Sequence, residues 1–148
     1  MYINYSLKKY PIVHVCVNDN KDLENIGYNK FMNFWESQYT NQKNFIFFIN
    51  LENLSKPNIT LLLDFTKRMR IMKNQSIQYL NYSIIVIKNN IIINLLKQIW
   101  KIVPPLNTIY IVPNIETGEL LLKNLYNTQY DENYINTFLF IHKISKVT

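Results

Sequence analysis

The chain alternates between two hydrophobic periods. Pro11 to Val17 (Pro-Ile-Val-His-Val-Cys-Val) is β-branched and apolar and stops at Asn18-Asp19-Asn20, which reads as a strand ending in a turn. Tyr2 to Ser6 fits a short partner strand, with Leu7 to Tyr10 as the turn between them. From Tyr28 to Tyr39, Phe31, Trp35 and Tyr39 recur four apart, with Tyr28 and Met32 beside them, so the spacing predicts a helix with one apolar face. Phe45 to Leu51 (Phe-Ile-Phe-Phe-Ile-Asn-Leu) is a continuous apolar run of strand length. Such a run suits a strand covered on both faces, as in a parallel sheet.

The alternation continues. Ser55-Lys56-Pro57-Asn58 opens a long helical pattern, with Ser55 or Asn58 as cap and Pro57 near the first turn. Leu62, Phe65, Met69 and Met72 form its buried stripe, and Lys67, Arg70 and Lys73 lie opposite. Tyr82 to Ile87 is the next strand, Ile91 to Ile102 a short helix ended by Pro104-Pro105, and Thr108 to Val112 a further strand. Glu116 to Tyr126 is a helix with Leu120, Leu121 and Leu125 on one face and two acids near its positive end. Thr137 to Ile144 fits either a strand or a helix. Strands alternating with helices imply an α/β domain with a mostly parallel sheet, an antiparallel edge strand and right-handed crossovers. We expect that single domain to span residues 1–128, with 129–148 as a tail.

Composition changes how the charge is read. The 148 residues include no alanine, two glycines and two arginines, while asparagine, isoleucine, lysine and tyrosine are abundant. The favoured residues have AT-rich codons, as in an AT-rich genome such as that of a large DNA virus, a protist parasite or a low-GC bacterium. A net charge of +6 would ordinarily suggest nucleic acid or an anionic membrane, but the same bias inflates lysine. The lone Cys16 excludes an internal disulfide. The first ten residues lack a signal-peptide pattern, and no apolar stretch reaches the ~20 residues of a membrane span. The expectation is an intracellular, soluble protein.

The catalytic inventory is thin. Two isolated glycines, Gly27 and Gly118, cannot build a P-loop or a Gly-x-Gly-x-x-Gly turn, which need glycine for close phosphate approach. His14, His142 and Cys16 are too few for a His/Cys zinc site, so no metal or cofactor is expected. His14 and Cys16 share one strand face, and we read them as an imidazole and a thiol packed under a helix, since neighbours on one strand rarely reach nucleophile–base geometry. Asp19, Asp22 and Glu24 follow a strand end, where α/β sites form, but read as a solvated acidic turn. The basic positions Lys67, Arg70 and Lys73, extended by Lys8-Lys9 or by Lys97 and Lys101, fit a solvated helix face better than a nucleic-acid site. Phe31, Trp35, Met69 and Met72, like Phe45, Phe47 and Phe48, read as core.

The stretch Phe45-Ile-Phe-Phe-Ile-Asn-Leu-Glu-Asn-Leu-Ser-Lys-Pro-Asn-Ile-Thr-Leu-Leu-Leu63, set in an edge hairpin followed by alternating helices and strands, resembles the STAS domain of anti-sigma-factor antagonists. CRAL-TRIO lipid-binding domains share this general architecture, and a flavodoxin-like sheet would give nearly the same pattern. In STAS domains the strand-to-helix loop carries an Asp-Ser-Ser/Gly motif with a regulatory phosphoserine. Here Asn58 stands at the Asp and Ile59 at the phosphorylated serine, with no glycine following, so the phosphoswitch serine is not retained. The resemblance implies a non-enzymatic, protein-binding regulatory module whose partner surface includes Asn53, Ser55, Asn58 and Thr60. A small-ligand or lipid-binding domain is the alternative that the CRAL-TRIO kinship and the many aromatics raise.

Overall fold

The computed structural model describes residues 1–20, 25–105, 107–126 and 142–144. Strands β1 (Tyr2–Lys9) and β2 (Ile12–Asn18) are followed by α1 (Tyr28–Thr40), β3 (Phe45–Asn50), α2 (Ile59–Lys73), β4 (Leu80–Val86), α3 (Asn90–Ile102), β5 (Thr108–Val112), α4 (Ile115–Tyr126) and β6 (His142–Ile144). The strands form one sheet in the order β1-β2-β3-β4-β5-β6. Strands β2 to β5 are parallel, and β1 and β6 flank them antiparallel. The expected α/β architecture with an antiparallel edge strand is therefore what the chain forms.

One boundary departs from the expected one, and two open alternatives are decided. The first strand runs on to Lys9, so the turn is confined to Tyr10-Pro11 and not spread over Leu7 to Tyr10. Its Ser6 and Lys9 pair with His14 and Ile12 across a register shift, and this irregular pairing carries the strand past the polar run that reads as a turn. Asn58 caps α2, its side chain accepting from the Leu61 N–H at 3.2 Å, while Ser55 does not cap and Pro57 precedes the cap. The uncertain segment Thr137 to Ile144 contributes a strand at His142–Ile144, and its first part lies outside the described residues.

Register fixes which side chains share a face. Val13, Val15, Phe47, Ile49, Ser83, Ile85, Ile109 and Ile111 line one face, because Val13 pairs with Phe47, Phe47 with Ser83 and Ser83 with Ile109. Three successive right-handed crossovers that step the same way across a sheet put their helices on one side. α1, α2 and α3 accordingly pack over this face. α4 leads to an antiparallel strand and is free of that rule. It lies on the opposite face over Phe48, Ile84, Val86, Tyr110 and Val112. Gly118 makes its close approach possible, since a Cβ there would sit 2.9 Å from the Phe48 ring. A doubly wound flavodoxin-like sheet reverses its strand order at a switch point, and this one never does.

The helical layer is unevenly packed. α1 buries Phe31, Met32 and Trp35, and its rings interlock with Phe47 at centroid distances of 5.6 and 4.9 Å. α2 buries only Met69 and Met72. Its Leu62 and Phe65, expected in the buried stripe, are half-buried, as are Leu95, Leu96, Ile99 and Trp100 of α3.

Candidate functional site

The half-buried apolar side chains of α2 and α3 face a cavity of about 170 Å³ that these helices enclose with Tyr28, Phe31 and Trp35 of α1 and the sheet. Its floor is Ile49, Ser83, Ile85 and Ile109, and its walls include Leu62 and Phe65 on one side and Leu96 and Trp100 on the other. The wall on α2 runs from Leu61 to Met69, roughly 12 Å at the helical rise per residue. Ser83 and Asn107 are the polar side chains that join the aromatic and aliphatic lining. Asn107 is occupied, its Nδ2 donating to the Leu80 carbonyl.

The arrangement follows from local chemistry. α2 is tied to α1 by polar links that act at a distance from the sheet. The Tyr28 hydroxyl donates to Asp64 Oδ2 at 2.7 Å, and Arg68 pairs with Asp64 at 3.3 Å and with Glu36 at 3.7 Å. Below α2, the Tyr39 hydroxyl donates to Gln78 at 2.7 Å, and Gln78 donates in turn to the Met72 carbonyl. The polar links of α2 thus run to α1, while its half-buried Leu61, Leu62 and Phe65 line the cavity. Burial, and secondarily the Asp64 carboxylate, raises the Tyr28 phenol above its ordinary range, so it remains a donor.

The loop expected to carry a partner surface is in place. Asn53, Ser55, Asn58 and Thr60 are exposed, while Leu54 between them is buried. Asp19 holds the loop: its Oδ2 accepts from the Ser55 N–H, the Ser55 hydroxyl and the Lys56 N–H at 2.8, 2.7 and 3.0 Å. These bonds lower the Asp19 pKa, and they account for Asp19 without any catalytic role. Asp22 and Glu24 lie outside the described residues. Lys67 and Arg70 are exposed on the outer side of α2, and Lys73 is half-buried.

His14 and Cys16 are half-buried and line a shallow hollow beside α4 with Asn4, Ser6, Asn50 and Glu119. The expected packing under a helix holds only in part, because α4 lies over β4 and β5 and leaves the β1–β2 side of this face uncovered. His14 stacks on Phe48 at 5.2 Å. Burial pushes the Cys16 thiol up, away from the thiolate that a nucleophile needs. Among the described residues, no three His, Cys, Asp or Glu side chains come together as a metal site would require. Among the described residues, too, no helix is long and apolar enough to cross a membrane.

The sequence pattern singled out the stripe residues of α2 but read them as core. Ser83 is the available signal: a small hydroxyl beside the aliphatic run Ile84 to Val86 of a central strand, on the face that the helices cover. No family model, curated protein or solved structure matches the chain.

Proposed function

We propose that the protein is a non-catalytic binding domain for a slender apolar molecule, such as an acyl chain, held between α2, α3 and the sheet. The observation that carries this reading is the cavity itself. A void of about 170 Å³ with an almost wholly hydrocarbon lining exceeds the roughly 150 Å³ apolar cavity that takes up benzene from water. Native interiors are close-packed, and an empty space of this size weakens the fold through lost contacts. Its lining along α2, from Leu61 to Met69, gives an acyl chain about two turns of apolar helix to lie against.

The test is direct. The purified full chain is examined by native mass spectrometry for a retained lipid, and titrated with a fluorescent polyene fatty acid. Saturable binding is expected, and it is lost in Ser83→Leu and Leu96→Phe, which fill the space from the floor and from the wall while keeping a native circular dichroism spectrum. An unliganded mass together with unsaturable probe fluorescence would refute the reading.

A protein-interaction module of STAS-like architecture is the second reading. The exposed, Asp19-tethered loop supports it, as does the unreversed strand order with three successive helices on one face. Alanine at Asn58 and Thr60 that leaves partner capture unchanged would move the interaction surface elsewhere.

A further inference from the structure

We infer that the outer face of α2 and α3 docks on the surface of an anionic lipid bilayer, from which the cavity beneath it is loaded. The inference rests on the proposed apolar ligand for the loading step, and on the charge and exposure of the two helices for the docking step.

The charge of the chain is concentrated here. α2 and α3 hold six of the 16 Lys and Arg residues (Lys67, Arg68, Arg70, Lys73, Lys97 and Lys101) and one of the ten acids, Asp64. The rest of the chain holds ten cations and nine acids. A coding bias toward lysine would raise cations everywhere. The one acid of the two helices, Asp64, is taken up by Arg68, so the other five cations have no free acid on their own helices.

The same helices expose aliphatic side chains. Ile59, Leu63 and Ile71 on α2 and Ile91 and Ile102 on α3 are between 55% and 76% exposed. They recur with the helical period beside exposed Lys67, Arg70 and Lys101, along the sides turned away from the sheet. Aliphatic and basic side chains interleaved on one helical surface match a bilayer interface, where the chains enter the headgroup boundary and the cations meet anionic lipid. A single-stranded nucleic-acid surface would use aromatic platforms between its cations, and neither outward stripe contains an aromatic residue. The two helices bearing these stripes are also the walls of the apolar cavity, so a lipid tail leaving the bilayer would meet them first.

Flotation of the full chain with vesicles tests the docking step. Phosphatidylserine-rich vesicles should bind it at low ionic strength and release it at high ionic strength, while phosphatidylcholine vesicles should not bind it. Lys67→Glu/Arg70→Glu should lower partitioning at least tenfold, at about 1 kcal/mol per surface cation lost. Leu63→Asp/Ile91→Asp, changing exposed residues only, should lower it as well. Equal binding to both vesicle types, or to neither, would overturn the inference. So would retention of full binding by Leu63→Asp/Ile91→Asp alongside equal affinity for polyuridine, which would mark a general polyanion surface. The two steps separate in parallel titrations: the surface variants keep fatty-acid probe binding without vesicles, and Ser83→Leu loses the probe but still floats. Loss of probe binding in the wild type alone overturns the cavity reading and leaves the docking result standing.

Discussion

At the scale of single residues, two groups tie stability to pH in separate windows. His14 is partly buried, and its pKa falls below the ordinary value chiefly through lost hydration, with Lys9 adding to the fall and Glu119 opposing it. A histidine whose folded pKa is depressed contributes stability that is complete above the unfolded value of about 6.5 and declines as pH drops through the folded one. Urea midpoints should therefore be level above neutrality and fall on acidification, and His14→Phe should flatten that part of the curve. Asp19 acts lower. Its carboxyl is held below the ordinary range by the Ser55 and Lys56 donors, so its contribution is present above about pH 4 and is lost as pH falls further. Because Asp19 is largely in solvent, the effect on global stability is small. It should appear instead as lower protection of the Ser55 and Lys56 amides, whose N–H groups donate to the carboxylate, after correction for the intrinsic exchange rate at each pH. Asp19→Asn should show that low protection at every pH.

At the scale of elements, α2 is the least anchored of the layer, since its polar ties run to α1 and its sheet-facing side borders the cavity. Tyr28→Phe removes one tie and leaves Asp64 its ion pair with Arg68. A hydrogen bond to a partly exposed carboxylate contributes roughly 1 kcal/mol, so amide exchange in α2 should speed by about fivefold, while α3 is unchanged. Equal acceleration in both helices would mean that they open as one unit. The elements themselves were legible in the pattern. β3 with four buried residues in a row and α3 with its Ile and Leu periodicity announce themselves, because burial on two faces and on one face leave different signatures. The cavity was not legible. Leu62, Phe65, Leu96 and Ile99 obey the same period whether they meet other side chains or line a void. Periodicity reports which way a residue points, whereas the seat of α2 against its neighbours depends on contacts such as Tyr28 with Asp64, 36 positions apart in sequence. The placement of α4 on the far face was hidden for a similar reason. β6 pairing antiparallel with β5 frees α4 from the crossover rule, and that pairing is a long-range choice that the helix's own residues do not encode.

At the scale of the whole molecule, the three helices and the sheet share one apolar cavity, lined by Phe31 and Trp35 of α1, Phe65 of α2 and Trp100 of α3. α1 also locks its aromatic rings onto β3. A ligand that binds only the folded chain stabilises it by mass action, by about 2.7 kcal/mol at a hundredfold excess over Kd. For a domain near 150 residues each kcal/mol moves Tm by roughly 2–4 °C. A saturating fatty acid should thus raise Tm by roughly 5–10 °C, and the rise should grow with the logarithm of free ligand. Ser83→Leu supplies the control that a general surfactant effect would fail. It places hydrocarbon where the ligand would lie and removes a buried hydroxyl, so its own Tm should equal or exceed that of the wild type. Added fatty acid should then shift it no further. A ligand shift of equal size in the wild type and in Ser83→Leu would place the stabilising contact outside the cavity, and with it the binding site.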